Sequence, residues 1–205
     1  MTRPLYVTLA TLLVLGLLVA WTGRPPTTYT FQSTPNEMNV EGGSTVHDWS
    51  CPIKTLGGSL QLDTAGTAET PLGAPSRGQV EVPVDAIQCD KDTMNEKLRE
   101  ALRMNAYPEV YFTLKEAQVS PLPDSGDAWF LIDATGELLL SGERRQIDLP
   151  VKGKQLSDGS LRLVGSHTIR LSDYGIDRPS AMFGAIKTSK EVTVNFDVTA
   201  TPDSN

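Results

Sequence analysis

The chain of 205 residues is poor in the side chains that usually carry chemistry. It has two cysteines and two histidines. It contains no Cys-x-x-Cys and no Cys-x-x-Cys-His, the spacings of zinc, haem and thiol redox sites. It has no Gly-x-Ser-x-Gly elbow of a serine hydrolase. It has no basic run, and 18 Lys and Arg stand against 25 Asp and Glu, a net charge of −7. A surface of that sign repels phosphate backbones, which excludes nucleic acid as a partner. Aromatic residues make up 6% of the chain, and there is neither an internal repeat nor a low-complexity segment.

Long hydrophobic runs are also scarce, with one exception. Residues 5–21, "LYVTLATLLVLGLLVAW", carry no charge. The run is long for the apolar part of a signal peptide and short for a spanning helix. Residues 1–24 therefore read as either a cleaved signal peptide or an N-terminal anchor, with membrane association through residues 5–21. Both readings export the rest, to the periplasm or another extracytoplasmic space. No lipobox cysteine argues for a lipoprotein. Without Arg3 and Arg24 the remainder carries 16 basic against 25 acidic residues, a net of −9. Residues 25–35, which include Pro25-Pro26-Thr27-Thr28, read as a linker or edge segment. One domain follows over 36–200, then a frayed tail over 201–205. Tyr29, Phe31 and Met38 read as edge-strand or plug residues.

What the chain has in abundance is alternation. Val192, Val194, Phe196 and Val198 alternate with Thr193, Asn195, Asp197 and Thr199. Val110, Phe112 and Leu114 repeat the pattern, as do Ile147, Leu149 and Val151, and Val80, Val82 and Val84. Leu161, Leu163, Gly165, His167, Ile169 and Leu171 share one face of a longer run. A half-buried antiparallel strand needs this period of two, because successive side chains point to opposite faces. "LSGERRQ" at 140–146, "LSDGS" at 156–160 and "LPDSGDA" at 122–128 supply turns. Gly57-Gly58 suggests a bulge or sharp bend in a long strand. The expected fold is all-β: an eight-stranded antiparallel, lipocalin-like barrel. One segment breaks the period. Met94, Leu98, Ala101 and Leu102 make a helical face, so a helix over Thr93–Met104 is predicted as a lid. Thr93 and Glu96 fit a capping box, and Pro108 ends the segment.

The stretch "STVHDWSC" at 44–51 brings His47, Asp48, Ser50 and Cys51 together. Strand alternation puts His47 and Asp48 on opposite faces, a poor geometry for a catalytic pair. Cys51 and Cys89 are an even pair in an exported chain, which reads as a disulfide. Closing that loop stabilises the fold by about 4 kcal/mol on the chain-entropy model. A redox pair or metal site, the alternative, lacks its spacing. His167, on an apolar face, reads as a core histidine before a metal ligand.

The ordered set "STVHDWSCPIKTLGGSLQLD", "NAYPEVYFTL", "GELLLSGERRQIDLPV" and "SDYGI…VTVNF" resembles the YceI-like family of exported lipid- or polyisoprenoid-binding proteins. The resemblance covers about Met38 to Thr199, and Cys51 and Cys89 suggest a subgroup with an "HDW-x-C" strand entry. It implies a barrel with an elongated apolar lumen, a long-chain isoprenoid or lipid as partner, no catalytic residues and no cofactor, and it allows a homodimer. The strand faces nominate Phe112, Leu114, Phe130, Ile132, Ile147, Leu149, Leu163, His167, Ile169, Val194 and Phe196 for the lumen wall, with Val110 and Val151. Alternation puts Arg162 and Arg170 outside. Two readings compete at this point. The inward set encloses a ligand cavity, or it simply fills a core and the protein is a stress-related interaction module. An enzyme using His47, Asp48 or His167 is disfavoured.

Overall fold

The computed structural model describes residues 26–31, 37–63, 73–122, 129–181 and 186–203. The N-terminal segment 1–24 and most of the turn at 122–128 lie outside the described residues. Eight strands form a closed ring. Their order is β1 (Thr27–Phe31), β4 (Gly57–Leu62), β5 (Pro75–Pro83), β6 (Glu109–Pro121), β7 (Phe130–Leu140), β8 (Glu143–Gln155), β9 (Leu161–Arg170) and β11 (Ile186–Pro202). All neighbours are antiparallel, and β1 pairs with both β4 and β11 to complete the circle. Hairpin turns connect β7 to β8 and β8 to β9. The first places Ser141 at φ 53° and Gly142 at φ 86°, the double positive-φ geometry that matches the right-handed twist of paired strands. The second uses Gly159 at φ 85°.

Residues 27–31, read as a linker or edge segment, are instead a wall strand paired on both sides. Tyr29 and Phe31 are 5% and 7% exposed, and the domain begins nine residues before the expected boundary at 36. At the other end β11 runs to Pro202, and Thr30 Oγ1 donates to Asp203 Oδ1 at 2.6 Å, so the tail starts later than 201. Both segments look unstructured alone because their pairing partners are distant in sequence: Phe31 faces Ala200. Gly57 and Gly58 open β4 rather than bulging a longer strand. Gly58 sits at φ +130°, and a Cβ there would overlap the carbonyl oxygen of Gln79.

A second hairpin, β2 (Glu37–Ser44) and β3 (Asp48–Pro52), extends the wall beside the upper part of β11, and the two-residue β10 (Ser180–Ala181) pairs with the start of β11. Its outer strand has no ladder to β5 among the described residues. The Ile53–Ile87 bridge, Lys54 N–H to Ala86 O and Gln88 N–H to Pro52 O (both 2.9 Å), and the Cys51–Cys89 disulfide join that side instead. The helix α1 (Asp92–Ala101) lies across the same end. Met94, Leu98 and Leu102 pack on the core, as the helical face predicts.

Its start differs from expectation. Lys91 is the N-cap and offers no side-chain bond, so the capping box at Thr93 does not form; Thr93 already lies within the first turn. Asn95 has a different role. Its Oδ1 accepts from Cys89 N–H at 2.6 Å and its Nδ2 donates to Cys89 O at 3.1 Å, fastening the helix to the disulfide. The helix ends at Ala101, three residues before Met104, because Arg103 adopts φ 54°. Arg103 then donates to Ser141 Oγ at 2.9 Å and to Ser141 O, and stacks 5.2 Å from the Tyr107 ring centroid. The lid is thus held at one end by a disulfide and at the other by the β7–β8 turn.

Candidate functional site: the apolar lumen

The barrel is not filled. Its lower end is packed: Tyr29, Leu62, Phe130, Leu161 and Ala200 are all 7% exposed or less. Above that floor lies a cavity of about 490 Å³ with an almost wholly apolar wall. The volume falls within the roughly 300–1,000 Å³ of small-molecule sites. Several inward apolar residues, among them Phe112, Leu114, Ile147, Leu149, Val194 and Phe196, are only half-buried. They face open space instead of neighbours, which is what separates a lumen from a core.

Every lumen residue expected from alternation lines this cavity except Phe130. Phe130 is the first residue of β7, opposite Gly153 and Pro121 at the lower end, so its ring belongs to the floor. Alternation assigns a face but not a height along the barrel. The cavity also has walls that alternation did not nominate. Met38, Val40 and Trp49 come from the β2–β3 hairpin, and Met94, Leu98 and Leu102 from the lid. Ala117 lines it too, because the register shifts between Leu114 and Glu116 and the inward phase changes there. The lid face was legible as a helical stripe. The hairpin was not, since "VEGGS" breaks the apolar alternation.

Three inward aromatic rings explain why the space stays open. Trp49 lies on Gly42, Phe112 on Gly136 and Phe196 on Gly165, each on a neighbouring strand. Glycine lets a ring lie flat against the wall, and an added Cβ at any of the three would overlap it. With side chains at those positions the rings would stand into the lumen.

Polar groups are few. Ser44, His47 and Thr188 rim the upper end, with Lys91, Thr93 and Lys97 from the lid, and Ser59 and Gln79 touch the cavity from β4 and β5. His167 is the polar side chain set into the inward face of β9. Burial pushes its pKa below the ordinary histidine value, so the ring is neutral at pH 7. Arg162 and Arg170 lie outside, paired with Asp197 (2.5 Å) and Glu191 (3.1 Å). The "HDWSC" residues separate. His47 and Asp48 are exposed, Trp49 donates its Nε1–H to Gly43 O at 3.3 Å, and Cys51 is fully buried in its disulfide. A disulfide sulfur is no nucleophile. Among the described residues no group of three or more His, Cys, Asp or Glu side chains is placed to hold a metal.

A model of the YceI-like domain family matches residues 29–200. Solved structures similar to this one include a polyisoprenoid binding domain from Saccharophagus degradans implicated in plant cell wall breakdown. That match has a TM-score of 0.65 and 16% identity over 87% of this chain and 100% of that chain. BcnA of Burkholderia cenocepacia matches at TM-score 0.64 and 15% identity, over 83% and 99%. A YCEI protein of Campylobacter jejuni matches at TM-score 0.54 and 16% identity, over 75% and 84%. At these identities the likeness is one of fold. No curated protein matches the chain.

Proposed function

This chain belongs to the YceI-like family, and from that premise we propose that it is an exported, non-catalytic binding protein that holds a long-chain isoprenoid or other lipid in its lumen. The observation that carries the reading is the hollow apolar cavity of about 490 Å³ under a fastened lid. The polyisoprenoid binding described for the Saccharophagus degradans domain of the same fold agrees with it.

The physics favours a long chain. Each methylene moved from water into the lumen contributes about 0.8 kcal/mol. Association costs about 4–15 kcal/mol in lost freedom. A chain of about ten carbons only offsets that cost, and longer chains bind with the surplus. In this reading residues 5–21 carry the protein out of the cytoplasm, and where they are retained they hold it at the membrane that contains such lipids. The test is to purify the protein gently from the exported fraction, extract it with organic solvent and analyse the extract by mass spectrometry. A stoichiometric isoprenoid or lipid is expected. An empty extract, from protein that also takes up no such lipid when offered one, overturns the reading and returns weight to an interaction module.

A further inference from the structure

His167 is out of place in an apolar wall. It faces inward between Gly165 and Ile169, opposite Val194 on β11, whose other neighbour is Val40. Its imidazole has no hydrogen-bond partner among the described residues. A neutral imidazole carries one N–H donor and one acceptor nitrogen, and the half-buried ring leaves them accessible to a ligand group.

The wall is also incomplete at this height. The ladder between β8 and β9 runs from Gln155–Leu161 up to Val151–Gly165 and stops there, although both strands continue. Pro150, which brings no N–H to a ladder, stands where the strands part. Above the opening Arg145 Nε donates to Asp173 O at 2.9 Å, closing it at the top. His167 and Leu149 therefore flank a side gap, with His167 offering the only imidazole in the wall of the cavity below the rim.

Resting on the lipid-carrier reading above, we propose that His167 is the recognition point for an uncharged oxygen group of the ligand, a carbonyl or a hydroxyl, held where β8 and β9 part while the apolar chain occupies the lumen. The charge arrangement argues against an anionic head at this position. The arginines on the same strand face outward and are ion-paired, and the lysines that reach the cavity belong to the lid. A neutral ring gives a phosphate no counter-charge, but it satisfies a carbonyl through its N–H or a hydroxyl through its bare nitrogen.

The test uses three C20 isoprenoid probes of matched chain: the alcohol geranylgeraniol, the hydrocarbon lacking its oxygen, and geranylgeranyl phosphate. Their affinities for the exported chain are measured by displacement of a fluorescent lipid. The wild type should bind the alcohol roughly three- to tenfold more tightly than the hydrocarbon, the worth of one net hydrogen bond, and more tightly than the phosphate. His167→Leu should abolish that preference, so that the alcohol binds no more tightly than the hydrocarbon. His167→Gln, which keeps a donor and an acceptor, should retain it, and His167→Ala, which removes both, serves as the reading if the leucine variant fails to fold. A wild type that binds the hydrocarbon equally well, or that prefers the phosphate, overturns the proposal and leaves the carrier reading standing. So does a preference that survives in His167→Leu. If no probe binds the wild type, the carrier reading falls and the proposal with it.

Discussion

Gly165→Ala tests the origin of the lumen most directly. A Cβ at Gly165 would sit 2.5 Å from Cζ of Phe196 and 3.2 Å from both of its Cε atoms. Carbon atoms in contact prefer about 3.5–4.0 Å, so the ring must retreat by about 1 Å. Backbone blocks one direction and the cavity leaves the other free, so the ring swings into the lumen. Two effects on stability partly offset one another. Displacing the ring costs about 1–3 kcal/mol, while removing a strand glycine returns about 0.5–1 kcal/mol. The net loss is about 1 kcal/mol, a fall in Tm of about 2–4 °C for a chain of this size. Binding should suffer more. A ring that evicts two methylenes of ligand removes about 1.6 kcal/mol, roughly tenfold or slightly more in affinity. Thermal unfolding and displacement of a fluorescent long-chain lipid measure the two quantities on the same sample. Adding Phe196→Leu should restore binding, since leucine clears the new Cβ. The reasoning is refuted if Gly165→Ala binds as the wild type does, or if Phe196→Leu fails to rescue a binding defect in a folded variant.

The remaining expectations are simpler. Leu149→Arg places a charge on the half-buried lumen wall, where the lid lysines rather than carboxylates line the space, and should abolish folding or lipid uptake; a stable variant that still binds would count against the inward assignment. The oxidised protein should weigh 2 Da less than the reduced one if Cys51 and Cys89 are bonded as the structure has them. Cys51→Ser with Cys89→Ser should lower stability by about 4 kcal/mol in denaturant titration and speed amide exchange in α1; unchanged exchange would show that the disulfide does not hold the lid. His167 makes stability depend on pH. Its folded-state pKa is lowered by burial, so below about pH 6.5 the unfolded chain binds a proton that the native state refuses. Stability should therefore fall as pH drops through 6.5 and level off below the folded-state value, and His167→Leu should flatten that slope. A slope unchanged in the variant would assign it to another group.

Much of the wall could be read from single strands. The face that Ile147, Leu149 and Val151 share follows from covalent geometry, since successive Cβ atoms point to opposite sides of a strand. Turn chemistry was equally local: Gly142 and Gly159 sit at the positive φ that their hairpins require. Lid residues Met94, Leu98 and Leu102 followed from helical spacing. The failures share one cause. Phe130 was placed on the correct face at the wrong height, Ala117 was missed because a register shift changes the phase of β6, and Thr27–Phe31 read only as a linker or edge segment because its partners are Leu62 to Ser59 and Pro202 to Ala200. Thr93 failed as a cap because the helix begins one residue earlier, where Asn95 holds Cys89.

By itself, then, the sequence determined the longer alternating strands and their apolar faces, the helix between them and the pairing of its two cysteines. Alternation, turn propensity and the scarcity of thiols act over a few residues or through counting. Whether that apolar face encloses a solid core or an open lumen was decided only by the tertiary structure. It depends on which glycine meets which ring across the register of neighbouring strands, Gly165 with Phe196, Gly136 with Phe112 and Gly42 with Trp49. It also depends on where β8 and β9 part beside His167, a relation that closure of the barrel creates and neither strand contains alone.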